Sequence, residues 1–360
     1  MLLGILFHTG LFLVPLDSWP VLDAWARATP LEANGYAIAL SAVHGFRMPV
    51  FFLLSGFFHA MLWQSRGLGN LARHRLERIG LPLLAGMLTI VPVIDWLVAG
   101  RDFILLDWPL AWLDGVDHLW FLSYLLLMAA LLAVAAALGL RFRHPLWWML
   151  IPLAVAPQHL MHQMAFGPDT ENGLIPDPDV FGYYALFFAF GVFVHQRKIA
   201  VRRWWTVALA PALLLVFPAG MILLYRDWPA APAPGWTWGA VSALQAAYAW
   251  LMCFGTLGLF RWLAAKERFW VRYLSDASYW LYLCHLPLVI GAQMLLVSWP
   301  VSVHLKFVLI NTVVIAGLLA VYQAGVRYSL VGTVLNGPRA RRRGPAPRSF
   351  ASGPHAGLSP

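Results

Sequence analysis

HGFRMPVFFLLSGFF, residues 44–58, decides how this chain is read. The run is apolar enough to sit in hydrocarbon, yet it holds His44 and Arg47 and is followed at once by His59. A cation in hydrocarbon is costly, so ionisable residues there face a bundle interior or a wet cavity and mark a functional site. His44 and Arg47 are three positions apart and share one face of a helix. Arg47 lies too far from either end of its span to reach the interface, and that span offers no carboxylate. It calls for an anion: a substrate phosphate or carboxylate, or an oxyanion that develops during a reaction. Asp95, on the next apolar run, is the structural alternative.

The rest of the chain agrees with a membrane setting. Of its 360 residues, 61% are hydrophobic and 11% charged, against about 25% charged in a soluble domain. This composition predicts an all-α polytopic integral membrane protein. The net charge of +9 does not point to nucleic acid, because the basic residues sit in short clusters between apolar runs. Cys253 and Cys284 lie in apolar runs and read as buried thiols.

Ten apolar spans are expected, near 1–16, 36–62, 79–99, 118–140, 145–165, 180–197, 205–225, 237–262, 274–298 and 303–327. With the N-terminus in the cytoplasm, the inner segments hold 20 of the 25 Lys and Arg residues. These include Arg66, Arg73, Arg75 and Arg78, Arg141 and Arg143, Arg197 to Arg203, Arg261 to Arg272, and Arg327 with the arginines of the tail. The positive-inside rule then sets both termini in the cytoplasm. Residues 1–336 form one membrane domain, and the Arg-, Pro- and Gly-rich stretch 337–360 reads as a disordered basic cytoplasmic tail. Met1–Leu16 has no basic n-region or cleavage site, so it is not a signal peptide. It is short for a span, and a start upstream of Met1 is expected.

Span limits place the ionisable residues in depth. His8 and His44 lie about eight residues below the outer face, Arg47 about 11 and His285 about 13, at a rise of 1.5 Å per residue. Three histidines and an arginine can therefore meet in the outer half of the bundle. Taken singly, each histidine can instead bond a carbonyl across a helix interface. His59, His159 and His162 have the plainer reading throughout, and a pair at i, i+3 makes no metal site. Arg73, His74, Arg75 and Arg78 form either a topology signal or a cytoplasmic anion site, since guanidinium forks grip phosphates. Asp117 and His118 open a span at the outer face, where the pair can orient a hydroxyl. No P-loop, dinucleotide-binding glycines or nucleophile elbow occurs.

Five stretches carry a resemblance: MLLGILFH at 1–8, HGFRMPVFFLLSGFF at 44–58, RHRLERIGLP at 73–82, DHLWFL at 117–122 and SDASYWLYLCHLPLV at 275–289. Their order and spacing resemble membrane acyltransferase family 3, and within it the branch that succinylates periplasmic glucans. The resemblance implies a ten-helix core, with no bound cofactor and no metal, in the bacterial inner membrane. It implies transfer of a succinyl or acetyl group from cytoplasmic acyl-CoA, the co-substrate, to a hydroxyl of a periplasmic glucan or other glycan. His8 matches the family's first-helix histidine and is the expected base. Arg75 and Arg78 match the donor-holding arginines. Arg47, His118 and His285 match positions of the glucan branch. His8, Arg47, His44 and His285 are grouped as the catalytic set, and His118 and Asp117 as the acceptor side. The family's arginine eleven positions before the histidine falls before Met1, which leaves a misassigned start or an impaired copy. The competing reading is a secondary transporter of an anion, with His and Arg as relay and binding site; the absence of a detectable repeat of halves speaks against it.

Overall fold

The computed structural model describes all residues except 17–18, 100–114, 141–145, 162–164, 172, 226–234, 264, 267 and 338–360, and the Glu32 side chain. His162, Arg141, Arg143 and nearly all of the predicted tail thus lie outside the described residues. Everything described is helix, turn or irregular chain, with no strand among the described residues.

The main elements in chain order are α1 (Leu2–Leu11), α2 (Gly35–Arg75), α3 (Leu81–Ala99), α4 (Trp120–Ala137), α5 (Pro178–Gln196), α6 (Phe217–Tyr225), α7 (Trp236–Leu263), α8 (Phe269–Leu296), α9 (Val303–Val321) and α10 (Leu330–Asn336). Side-chain caps fix several starts. Asn34 accepts from the amides of Tyr36 and Ala37 at α2, Asp177 from Asp179 and Val180 at α5, and Ser302 from Leu305 at α9. Each satisfies amides that a helix start leaves without partners.

Among the described residues, seven segments are long and apolar enough to span a membrane, against the ten expected. The difference has local causes. Gly35–Ala99 counts as one segment, although Gly67 (φ 79°) breaks the helix between two of the predicted spans. A positive φ costs glycine nothing, so the chain bends there. The first expected span is a helix of 10 residues, well short of the roughly 20 needed to cross. The fifth is divided among the short helices Leu150–Leu153 and Val155–Leu160. The molecule is an integral membrane protein by these helices.

α2 is the spine. It packs against α1, α4, α5 and α7. Its approach to α5 depends on two glycines: a Cβ on Gly56 would collide with the Phe188 carbonyl, and one on Gly191 with the Leu53 carbonyl. Small residues allow such close backbone contact between membrane helices. Aromatic rings fill the space on either side, with Phe52 stacked on Tyr184 at 4.7 Å and Phe187 on Trp250 at 4.1 Å. α1 is held between α2, α8 and α9. This inserts His8 beside the spine rather than on the lipid face.

Candidate active site

His8 sits in the last turn of α1 and is gripped by α8 at two points. Its Nδ1 lies 3.1 Å from Nε2 of His285, with the rings stacked at 5.0 Å. Its backbone carbonyl accepts from Nε2 of Gln293 at 3.0 Å. Gln293 is two turns beyond His285 on the same face of α8, and its Oε1 also accepts from the Trp19 indole at 3.0 Å. Thr9, fully buried, donates to Asn311 Oδ1 on α9 at 3.3 Å. A short helix is marginal by itself, so these contacts and its apolar packing fix the position of α1.

Pro287 explains where His118 goes. A proline within a helix cannot donate to the carbonyl four residues earlier, here Leu283. That free carbonyl accepts from Nε2 of His118 at 3.0 Å. The Tyr282 hydroxyl donates in turn to the His118 carbonyl at 2.6 Å. His118 is thereby turned inward, its ring 5.1 Å from that of His285, and its Nδ1 is buried without a partner among the described residues. His118 spends Nε2 on α8, while Oδ2 of Asp117 is buried and has no partner among the described residues.

His44 and Arg47 approach from α2, with Phe7 between them and the histidine pair. Phe7 stacks on His44 at 5.5 Å and lies 4.1 Å beneath the Arg47 guanidinium carbon. Among the described residues, Nε of Arg47 and Nδ1 of His44 are buried without partners. Among the described residues no ion pair reaches Arg47. The alternative partner, Asp95, is not engaged, and its Oδ2 is itself buried and without a partner among the described residues.

The basic pair Arg75 and Arg78 lies at the far end of α2 and in the turn after it. Nη1 of Arg78 donates to the Leu335 carbonyl at the end of α10, at 2.9 Å, and the Tyr279 hydroxyl donates to the Arg78 carbonyl at 2.7 Å. Among the described residues, Nε of Arg75 is buried without a partner. Tyr279, Tyr282 and His285 follow one another along α8, with ring centroids 6.3 and 6.5 Å apart. Six residues of helix are about 9 Å of axis, so a short path joins the arginines to the histidines. Of the histidines with a plainer expected reading, His59 bonds the Ser55 carbonyl at 2.7 Å, and His159 meets Ser242 at 3.4 Å. Among the described residues no group of three metal-ligating side chains is assembled.

The structure thus brings His8, His44, Arg47, His118 and His285 to one place, and sets Arg75 and Arg78 apart from them. Phe7, Tyr282, Gln293 and Asn311 were missed by sequence reasoning. The two amides had a visible signal, because a Gln or Asn inside an apolar span needs a partner as much as a histidine does.

Comparison with known proteins gives the chain its class. An acyltransferase-domain family model, that of acyltransferase family 3, matches residues 1–323. The chain belongs to this acyltransferase family. Within it, the chain is similar to glucans biosynthesis protein C of Escherichia coli K12, 34% identical over 149 residues. That alignment takes in 36% of this chain and 34% of the relative. The protein of the same name from Salmonella paratyphi B is 34% identical over 146 residues, with the same coverage. The aligned part is thus about a third of the length of the curated relatives it matches. No solved structure matches the chain. The family resemblance drawn from the five motifs is borne out, as is the acyltransferase class.

Proposed function

We propose that this chain is an O-acyltransferase of the bacterial inner membrane. It takes a succinyl or acetyl group from acyl-CoA on the cytoplasmic side and esterifies a hydroxyl of a periplasmic glucan or related glycan. In this reading both termini are cytoplasmic, and Arg75 and Arg78 receive the phosphates of the donor. The observation that carries the reading is the contact between His8 and His285 beside an arginine with no counter-ion among the described residues, joined to the distant arginine pair by the aromatic line on α8.

The chemistry follows from those positions. A sugar hydroxyl is a weak nucleophile. His8 removes its proton as the oxygen bonds to the thioester carbonyl carbon, a general-base contribution of about 100- to 10,000-fold. The carbonyl oxygen becomes an oxyanion, and Arg47 donates to it. Collapse of the intermediate breaks the carbon–sulfur bond, and His8 returns the proton to the departing thiolate. The products are the ester and the free thiol of CoA. Asp117, with an unpartnered carboxylate oxygen, accepts from hydroxyls of the incoming sugar. Two substrates held from opposite faces at one buried point also gain from proximity.

The test is transfer of radiolabel from succinyl-CoA or acetyl-CoA to added glucan by the full chain in proteoliposomes. Label enters the glucan with the wild-type chain and not with His8→Ala. Uptake of the anion without ester formation, or undiminished transfer by His8→Ala, contradicts the proposal.

A further inference from the structure

We infer that His285 is a positioning residue whose function is to select which nitrogen of His8 acts as the base. The inference rests on the reading of His8 as that base and deepens it.

The argument is a chain of donors and acceptors. Nδ1 of His285 lies 2.8 Å from the carbonyl oxygen of Tyr282. A carbonyl only accepts, so this nitrogen carries the hydrogen. In a neutral imidazole the other nitrogen then carries the lone pair. Nε2 of His285 therefore accepts, and its neighbour at 3.1 Å, Nδ1 of His8, donates. The lone pair of His8 is left on Nε2, the nitrogen that no protein group engages among the described residues. One backbone carbonyl on α8 thus sets the tautomer of a side chain on α1.

The surroundings keep the relay in place. The ring of His118 packs edge-on against His285 and is anchored to the Leu283 carbonyl. Gln293 holds the carbonyl of His8 itself. His8 is fixed at both its ring and its backbone by one helix face. When Nε2 takes up a proton, the resulting imidazolium keeps its Nδ1 hydrogen bonded to His285, so its charge is shared with a neutral ring rather than a carboxylate. No acid of α8 or α1 replaces that ring: among the described residues, Asp276 is the only carboxylate on either helix, and it lies more than two turns from His285.

The relay is tested by three variants and one spectrum of the intact protein in proteoliposomes. His285→Leu removes the acceptor. His8 then samples both tautomers and a wider range of positions, and kcat falls about 100-fold, the cost of roughly 1 Å of misplacement, with KM for acyl-CoA unchanged. His285→Gln can accept through its oxygen and donate through its amide, so it restores kcat to within about tenfold of wild type. The 15N spectrum of the wild-type chain shows His8 protonated on Nδ1 and not on Nε2, which needs no variant to fold. Wild-type kcat in a folded His285→Leu, no rescue by a folded His285→Gln, or a wild-type His8 protonated on Nε2 would each overturn the relay while leaving the base intact. Full activity in His8→Ala overturns the base and the relay together.

Discussion

Arg47 and Lys306 are both buried cations, 8% and 4% exposed, and they are provided for differently. Nζ of Lys306 lies 2.7 Å from Asp23 Oδ2 and donates to the Val297 carbonyl at 3.0 Å. Asp23 also caps a short helix through the Trp25 amide. Every strong demand of that pair is met inside the protein. Arg47 has the face of Phe7 and no anion among the described residues. A cation–π contact supplies about 0.5–2 kcal/mol, far below the cost of an isolated buried charge. A buried cation that the fold has satisfied is a clamp. One left without an anion among the described residues, in a cluster of five ionisable side chains, is the cation that the proposed function assigns to a substrate.

That contrast can be broken in several ways, the largest first. Lys306→Met leaves Asp23 buried and uncompensated and should lower stability by about 3–5 kcal/mol, measured by thermal unfolding in detergent. Lys306→Met with Asp23→Leu should recover most of that loss, because replacing both ions by apolar groups is often neutral. Arg47→Ala should cost about 100- to 1000-fold in transfer, the scale of one lost oxyanion donor, with an unchanged melting temperature. Lysine at position 47 should not restore the rate, since it lacks the planar fork. A melting temperature that falls in Arg47→Ala as far as in Lys306→Met would make both cations structural. Gln293→Leu removes the bonds to His8, Thr9 and Trp19. It should cost about 1–3 kcal/mol for the polar groups left unmatched, seen as earlier proteolysis of the α1 segment. The smallest effect belongs to the other end of α2. Deleting residues 330–360 frees Arg78 from the Leu335 carbonyl and should change KM for the acyl donor several-fold with kcat unaltered; one hydrogen bond of about 0.5–1.5 kcal/mol sets that scale.

Much of this was legible in the sequence. The helical class followed from the apolar runs, and the spacing of His44 and Arg47 on one helix, with His8 and His285 at matching depth, anticipated the cluster. The missing parts depend on contacts between distant segments. Lys306 was visible as a lysine inside a span, but its partner, Asp23, is 283 positions away in a loop. His118 was expected at the outer face with Asp117. Its inward turn needs the carbonyl freed by Pro287 on another helix, and periodicity carries no information about that. Seven spanning segments stand among the described residues where ten were expected, because the two spans expected on either side of Gly67 run together as Gly35–Ala99, α1 is as short as its sequence suggested, and the fifth run is divided into short helices.

The most direct test of the contrast uses two folded proteins in the same proteoliposomes, Arg47→Ala and the paired Lys306→Met, Asp23→Leu variant. Both receive radiolabelled acyl-CoA and glucan at a temperature where each remains folded. The account predicts that the paired variant transfers label at close to the wild-type rate, while Arg47→Ala transfers about 100-fold less or worse. Equal transfer by Arg47→Ala and the wild-type chain would contradict it.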